Sequence, residues 1–197
     1  MTGPLVFTNH AVGTVFVAMT GTWAVFEFVM NLWQRWRAHR WFVHDPTYFV
    51  VYLCIAAAII VSAILGGRGL LLWPGGRIWP AAAGMTLLVA GVGLRAWSIA
   101  TLGRFFQYQI QIQPEHAVVT AGPYRWVRHP SYTGVALAVT GFALATGAVL
   151  GLVAAVLLTA IGLAVRIRVE ERQLTEALGA DYECFAAGRK RLIPGVW

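Results

Sequence analysis

The sequence predicts an all-α integral membrane protein with about five transmembrane helices. Of its 197 residues, 58% are hydrophobic and only 12% are charged, which is about half the charged share of a typical soluble domain. Such a chain cannot bury its apolar residues in one soluble core, so lipid is the simplest surrounding. The apolar residues also fall into long runs separated by short polar segments. The length fits a single domain, residues 1–197.

Each apolar run can be compared with the roughly 20 residues that cross a bilayer core. The predicted spans are residues 12–33, 47–65, 79–102, 133–147 and 149–166. The last two come from one uncharged run of 33 residues, which is too long for one span and sufficient for two. The turn of this helical hairpin is expected between Ala145 and Gly151. Beyond it, residues 167–197 should form a cytosolic helical segment in which Gly179 ends a helix.

Basic residues predict how the chain is oriented. With the N-terminus outside, the inside segments hold 12 lysines and arginines, and the outside segments hold only Arg68 and Arg77. Because cytoplasmic loops are enriched in Lys and Arg, the N-out, C-in arrangement is preferred. The net charge of +7 is confined to short segments between apolar runs, a pattern that argues against a nucleic-acid partner. We expect a multi-pass protein among the lipids of a prokaryotic inner membrane.

Two charged residues fall inside predicted spans, Glu27 in the first and Arg95 near the end of the third. A charge within a span is costly and is a functional candidate. For Glu27 we favour the simpler interpretation, a position near the interface from which the carboxylate reaches water. Arg95 could pair with a carboxylate, bind an anionic group, or extend its charged end to the interface. In the same span, Gly84, Gly91 and Gly93 predict close contact with another helix.

Two polar clusters flank the predicted hairpin. The first, Gly122–Gly134, holds two prolines and two glycines, so it cannot be one regular helix. The second, Arg166–Glu171, holds two arginines and two glutamates. Because a hairpin returns the chain to its starting side, His129 and Glu171 should be neighbours although they are 42 residues apart in the sequence. Ahead of the first cluster, alternating glutamines in Gln107–Gln113 predict an extended ribbon.

The side chains of the two clusters suit a ligand that carries a carboxylate together with an ammonium or hydroxyl group. Arginine pairs bidentately with a carboxylate, and aromatic faces attract a sulfonium by cation–π interaction. Each residue also has a purely structural interpretation. Arg128 could bind lipid phosphate, His129 could cap the next helix, and the glutamates could be balanced by arginines at helical spacing. Their placement at both ends of one hairpin favours a shared site.

The spacing of these residues resembles the isoprenylcysteine carboxyl methyltransferase family and the wider group that includes phospholipid N-methyltransferases. The matching residues are His116-x5-Gly122-Pro123-Tyr124-x3-Arg128-His129-Pro130-x-Tyr132-x-Gly134, then Arg166-x3-Glu170-Glu171-x2-Leu174-x4-Gly179-x2-Tyr182, and finally Arg191-Leu192-Ile193-Pro194-x2-Trp197. The resemblance covers roughly residues 90–197, the expected catalytic core, and leaves the first two spans without a signature.

The resemblance implies S-adenosylmethionine as methyl donor, S-adenosylhomocysteine as product and no metal. The cofactor pocket would lie on the cytosolic side, between the loop before the last hairpin and the C-terminal helices. The cofactor-binding residues implied in this way are His116, Val118, Val119, Gly122, Tyr124, His129, Tyr132, Gly134 and Glu170. Arg166 and Glu171 match the pair that the family places near the acceptor, and we expect Arg128 to join them in catalysis. A lipophilic substrate would enter laterally between helices.

The identity of the acceptor stays open. The resemblance favours O-methylation of an isoprenylcysteine-like carboxylate; a phospholipid amine and a small thiol or hydroxyl compound are the alternatives. A carboxylate is already a nucleophile, whereas an amine or thiol would need a base, for which Glu171 is available. A non-catalytic protein that binds anionic lipid headgroups is a different class, but it has no use for paired glutamates. A membrane reductase that uses NADPH would also need arginines, yet the combination of the two clusters argues against it.

Overall fold

A computed structural model describes residues 3–37, 46–74, 76–106 and 118–197. The α-helices in these ranges are α1 (Leu5–Thr8), α2 (His10–Arg37), α3 (Thr47–Gly67), α4 (Ile78–Leu102), α5 (Pro130–Ala145), α6 (Val149–Leu178) and α7 (Ala180–Ala187). Short 3-10 turns cover Gly103–Phe105 and Gly122–Arg125. No strand occurs in the described ranges, so the predicted all-helical class is confirmed. The predicted ribbon Gln107–Gln113 lies outside them.

The helices divide by length into those that can cross a membrane and one that is shorter. Helices α2, α3, α4 and α6 are long and apolar enough to span a bilayer. The apolar α5 has 16 residues, or about 24 Å at 1.5 Å per residue, against a hydrocarbon core of about 30 Å. Pro130 begins this helix, and Gly147, with φ of 77°, follows its end. An integral membrane protein is therefore confirmed, while the count of five spans stays a prediction that depends on α5.

Glycines bring α4 and α5 together backbone against backbone. A Cβ added at Gly84 or Gly91 would lie 2.4 Å from a backbone nitrogen of α5, and one added at Gly141 would lie 2.4 Å from a backbone nitrogen of α4. The predicted close contact is thus confirmed for Gly84 and Gly91. It is wrong for Gly93, where an added Cβ would meet nothing within 4 Å, because that position faces away from α5.

The hairpin α5–α6 lies between the two preceding helices. Helix α4 packs on α5, and α3 packs on α6. The fully buried Ser62 of α3 donates a hydrogen bond to the backbone oxygen of Gly151 on α6 at 2.9 Å. Helix α2 contacts α4, and its Phe16 and Trp23 are buried. Both α2 and α3 contribute side chains to the wall of one cavity, so the space between these two helices is part of that cavity.

The last long helix extends further than the predicted fifth span. That span was expected to end at residue 166, but α6 continues without a break to Leu178, where Gly179, with φ of 52°, ends it as predicted. A short α7 follows. Since Arg166, Glu170 and Glu171 therefore lie on the same helix as the membrane segment, the hairpin holds them in a fixed register.

Candidate active site

The hairpin brings the two polar clusters into contact. His129 precedes Pro130 at the start of α5, and α6 returns to the same end with its two glutamates. The Nε2 atom of His129 lies 3.3 Å from Oε1 of Glu171, and its Nδ1 atom lies 3.8 Å from Oε1 of Glu170. The predicted proximity of His129 and Glu171 is confirmed. The buried imidazole sits between two carboxylates.

Glu170 belongs to a chain of polar contacts that reaches α3. Tyr132 donates a hydrogen bond from its hydroxyl to Oε2 of Glu170 at 2.6 Å. Arg166, only 2% exposed, donates to the Tyr132 hydroxyl at 3.1 Å and to the Thr47 hydroxyl at 3.0 Å. The rings of Tyr132 and His129 are stacked with centroids 5.6 Å apart. These contacts fix the Arg166 guanidinium, the Tyr132 phenol and the Glu170 carboxylate in orientation relative to one another.

Glu171 is held by a different set of partners. Arg128 donates from Nη1 to Oε1 of Glu171 at 2.9 Å, and Arg191 donates from Nη2 to Oε2 at 2.8 Å. With His129 beside Oε1, donors occupy both carboxylate oxygens. A carboxylate paired in this way holds the two segments together and is a weak proton acceptor. The geometry thus does not favour Glu171 as a general base.

The C-terminal segment is a structural partner of the first cluster that the sequence did not reveal. Backbone nitrogens of Arg128 and His129 donate to the backbone oxygens of Lys190 and Arg191 at 2.9 and 3.0 Å. The guanidinium of Arg128 also donates to the backbone oxygen of Arg189 at 2.8 Å. The family-like ending at Arg191 was the available signal for this contact. Residues 189–191 therefore position the first cluster and do more than supply positive charge.

A cavity of about 670 Å³ lies beside these networks. Eight of the predicted site residues line it: Val118, Val119, Tyr124, Arg128, His129, Tyr132, Arg166 and Glu170. Its remaining wall includes apolar side chains of α2 and α3. Gly122, Gly134 and Glu171 are not among the lining residues. His116 lies outside the described residues.

Gly122 and Gly134 place the first cluster against α4. A Cβ added at Gly122, where φ is 54°, would lie 2.7 Å from the hydroxyl of Thr101, and one added at Gly134 would lie 2.7 Å from the backbone oxygen of Gly91. Both positions therefore require glycine for close approach to another helix. The structure gives them a packing role, and contact with a cofactor stays a prediction.

Two tyrosines at the polar end are shielded from water. Burial raises the pKa of Tyr124, and the nearby charge of Glu170 raises it further. Burial likewise raises the pKa of Tyr182 on α7, with a second contribution from Glu171. Both phenols therefore stay protonated hydrogen-bond donors at neutral pH. Tyr182 is part of the cavity wall, and its buried hydroxyl has no hydrogen-bond partner among the described residues.

The two charges within the spans form an ion pair in which Arg95 is buried and Glu27 is half-buried. Arg95, 5% exposed, donates from Nη2 to Oε2 of Glu27 at 2.8 Å and contacts the other carboxylate oxygen through Nε. Its Nη1 donates to the Ser131 hydroxyl at 2.9 Å. The ion pair accounts for Glu27, because a charge within a span is stabilised by an opposite charge on a neighbouring helix. Contact of its carboxylate with water stays a prediction, since the side chain is 20% exposed. Of the three interpretations of Arg95, pairing with a carboxylate is confirmed, and both residues line the cavity.

Comparison with known proteins identifies the family. The family model "Isoprenylcysteine carboxyl methyltransferase (ICMT) family" matches residues 83–176. Protein-S-isoprenylcysteine O-methyltransferase B of Arabidopsis thaliana is 30% identical over 145 residues, which cover 72% of this chain and 72% of that protein. The uncharacterized protein YpbQ of Bacillus subtilis is 28% identical over 133 residues, covering 68% of this chain and 75% of its own length.

The fold has a solved counterpart. The structure of the eukaryotic intramembrane Ras methyltransferase ICMT aligns with a TM-score of 0.68 at 21% identity, covering 98% of this chain and 70% of the other. The two proteins thus have the same all-helical fold. The chain belongs to the isoprenylcysteine carboxyl methyltransferase family. It is accordingly an S-adenosylmethionine-dependent methyltransferase of this type.

Proposed function

We propose that the protein transfers a methyl group to the free carboxylate of an isoprenylcysteine-like lipid and forms a methyl ester. The observation that carries this proposal is the cavity of about 670 Å³. At one end it meets Arg166, Tyr132 and Glu170, and farther along it is bordered by apolar residues of α2 and α3. One chamber can therefore accept a charged headgroup together with its hydrocarbon tail. The name of the Arabidopsis relative describes O-methylation of such a group.

The polar end has the side chains that S-adenosylmethionine requires. The cofactor carries a carboxylate, an ammonium, ribose hydroxyls and a sulfonium, and when bound it supplies an electrophilic methyl group. Tyr182 offers a buried hydroxyl without a partner in the described part of the chain, and Glu170 offers an acceptor. The aromatic rings of Tyr124 and His129 give the surroundings that a sulfonium prefers. We assign the cofactor to this end, beside Val118 and Val119.

Arg166 is the residue that we propose to orient the acceptor. Its guanidinium is held by Tyr132 and Thr47, so little further ordering is needed when a carboxylate arrives. A planar guanidinium pairs bidentately with a carboxylate, which would direct one oxygen toward the methyl group. Since a carboxylate loses no proton, the residues of the site need only align and desolvate it. The full pairing of Glu171 with Arg128 and Arg191 therefore favours a carboxylate over an amine or thiol.

We propose that α5 crosses the membrane despite its length, which gives five spans with the N-terminus outside and the C-terminus inside. The end of α4, the start of α5 and the end of α6 carry the polar site, and the flanking segments hold most of the basic residues. This charge distribution supports a site that faces the cytoplasm, in the inner membrane of a prokaryote. The whole chain would be one domain, with its catalytic core at about 90–197.

A labelled methyl donor tests the proposal directly. The purified protein is incubated in detergent with methyl-labelled S-adenosylmethionine and an S-prenylated cysteine whose carboxylate is free. We expect labelled lipid that releases methanol in mild base, because a methyl ester hydrolyses whereas N-methyl and S-methyl groups do not. The matched acceptor is the same compound with a carboxamide, which should remain unlabelled. Base-stable label, or equal label on the carboxamide, would contradict carboxylate methylation and point to the amine or thiol alternative.

A further inference from the structure

The cavity extends from the polar end into an apolar limb between α2, α3 and α5. On α2 the limb runs from Glu27 back to Val17, ten residues or about 15 Å of helix. On α5 it runs from Ser131 to Phe142, eleven residues or about 16 Å. The two helices thus give nearly the same depth for the limb. That depth is a property of the structure and does not depend on the cofactor.

Phe142 is the last residue of α5 that lines the limb. It is 9% exposed and packs against Phe16 of α2, with ring centroids 5.2 Å apart. Because this aromatic pair joins α2 to α5 at that level, the wall is held from both sides. No α5 residue after Phe142 lines the cavity, so a hydrocarbon chain that reaches this ring has passed the last contact that α5 offers in the limb.

Gly21 keeps the limb open about halfway along α2. It lies six residues before Glu27, or about 9 Å along the helix, and it lines the cavity. An added Cβ at Gly21 would meet nothing within 4 Å, in contrast to Gly84 and Gly91, which pack against a backbone. A glycine inside a helix is less favourable than alanine, and no helix contact requires one here. The missing side chain leaves room in the cavity.

From this geometry we infer that Gly21 and Phe142 determine the length of the hydrocarbon tail that the enzyme accepts. The inference rests on the proposed function, because it places the acceptor's carboxylate near Arg166 and its tail in the limb. Each methylene that fits in the limb should lower KM roughly fourfold. Carbons that would extend past Phe142 should bring no further gain. The open position at Gly21 and the ring of Phe142 therefore select the tail length together.

The test measures methyl transfer to geranyl, farnesyl and geranylgeranyl thioethers of cysteine in a series of variants. Gly21→Leu should raise KM for the two longer tails roughly tenfold or more and change KM for the geranyl compound about twofold at most. Phe142→Ala should lower KM for the geranylgeranyl compound relative to KM for the farnesyl compound. Thr22→Leu is the matched control, since Thr22 is exposed on α2 as Gly21 is but is not among the cavity residues. It should leave all three KM values unchanged.

The outcomes separate the two proposals. If the wild type methylates none of the three thioethers, carboxylate methylation of prenylcysteine fails. If the wild type is active but Gly21→Leu changes KM equally for all tails, the length inference fails while the proposed function stands. Binding of S-adenosylmethionine, measured by calorimetry, shows that each variant is folded. If Phe142→Ala does not fold, Phe142→Leu makes the same comparison with a smaller change in volume.

Discussion

His129 and Glu171 lie 3.3 Å apart between Nε2 and Oε1, although 42 residues separate them in the chain. Two helices and one tight turn create this contact, so the site depends on the register of the hairpin as much as on its side chains. Changes far from the polar end can therefore disrupt the chemistry.

An insertion in α6 tests the importance of that register. One alanine added after residue 158 would rotate Glu170 and Glu171 by about 100° relative to the first cluster, Gly122–Gly134. We expect methyl transfer to fall as far as in His129→Ala, because both changes separate the imidazole from the carboxylates. Activity and cofactor binding are measured together. An alanine inserted after Gly69, in the turn between α3 and α4, is the control and should be tolerated; retained activity in the α6 insertion would contradict the prediction.

The ion pair between Glu27 and Arg95 should matter for stability. Glu27→Ala leaves a buried guanidinium without its charge partner, and breaking such a pair typically costs about 3–5 kcal/mol. We expect the free energy of unfolding in detergent to fall by about this amount. Arg172→Ala breaks a pair whose side chains are 81% and 61% exposed, and it should cost less than about 1 kcal/mol. Equal effects of the two substitutions would show that Glu27 and Arg95 are not coupled.

The C-terminal segment should be needed to hold the first cluster and Glu171 in place. Arg191→Ala removes two hydrogen bonds to Glu171, of 2.9 and 2.8 Å. Loss of hydrogen bonds to a charged group should lower kcat/KM roughly tenfold. Lys190→Ala removes the neighbouring charge but keeps the backbone oxygen that accepts from Arg128, so it should have little effect. Similar losses in both variants would assign the effect to net charge and not to the contact with Glu171.

Tyr182 should contribute to cofactor binding and not to folding. Its hydroxyl is buried without a partner among the described residues, so Tyr182→Phe removes an unsatisfied group from the free protein. We expect unchanged or slightly higher stability, and affinity for S-adenosylmethionine reduced roughly tenfold, measured by calorimetry. Tyr52→Phe, in the apolar part of the cavity wall, should leave cofactor affinity unchanged. A loss of stability in Tyr182→Phe without a loss of affinity would refute the assignment.

Alkaline pH should reveal the buried phenols. The folded protein raises the pKa of Tyr124 and Tyr182, whereas unfolded tyrosines ionise near their ordinary pKa of about 10. Above about pH 10 the unfolded state loses these protons first, so stability should fall as pH rises, by up to about 1.4 kcal/mol per pH unit for each phenol. The double variant with phenylalanine at both positions should show a shallower slope, measured by denaturant unfolding. An unchanged slope would contradict the prediction.

The helical elements could be predicted because composition acts locally. An uncharged run of membrane length forms a helix wherever lipid surrounds it, and Gly147 and Gly179 ended helices where expected. The short α5 was predicted as well, because the fourth span was expected over residues 133–147 and the helix runs from Pro130 to Ala145. The unbroken extension of α6 to Leu178 was not predicted, since that span was expected to end at residue 166.

Tertiary packing decided which polar groups meet. The pairing of Glu27 with Arg95 depends on α2 lying against α4, which no spacing in the sequence indicates. The contact between Arg191 and Glu171 depends equally on the return of the C-terminus to the motif. Both contacts join elements that are distant in the chain, so their residues carry no local signal.

The sequence by itself determined a helical membrane protein, the hairpin that brings His129 to the glutamate pair, and the family motif. Only the tertiary structure decided that Glu170 faces the cavity while Glu171 binds Arg128 and Arg191. Successive residues of an α-helix point about 100° apart, so two adjacent glutamates must face different neighbours. Which neighbours they meet depends on how the helices pack and where the C-terminus docks, and neither is encoded in local composition.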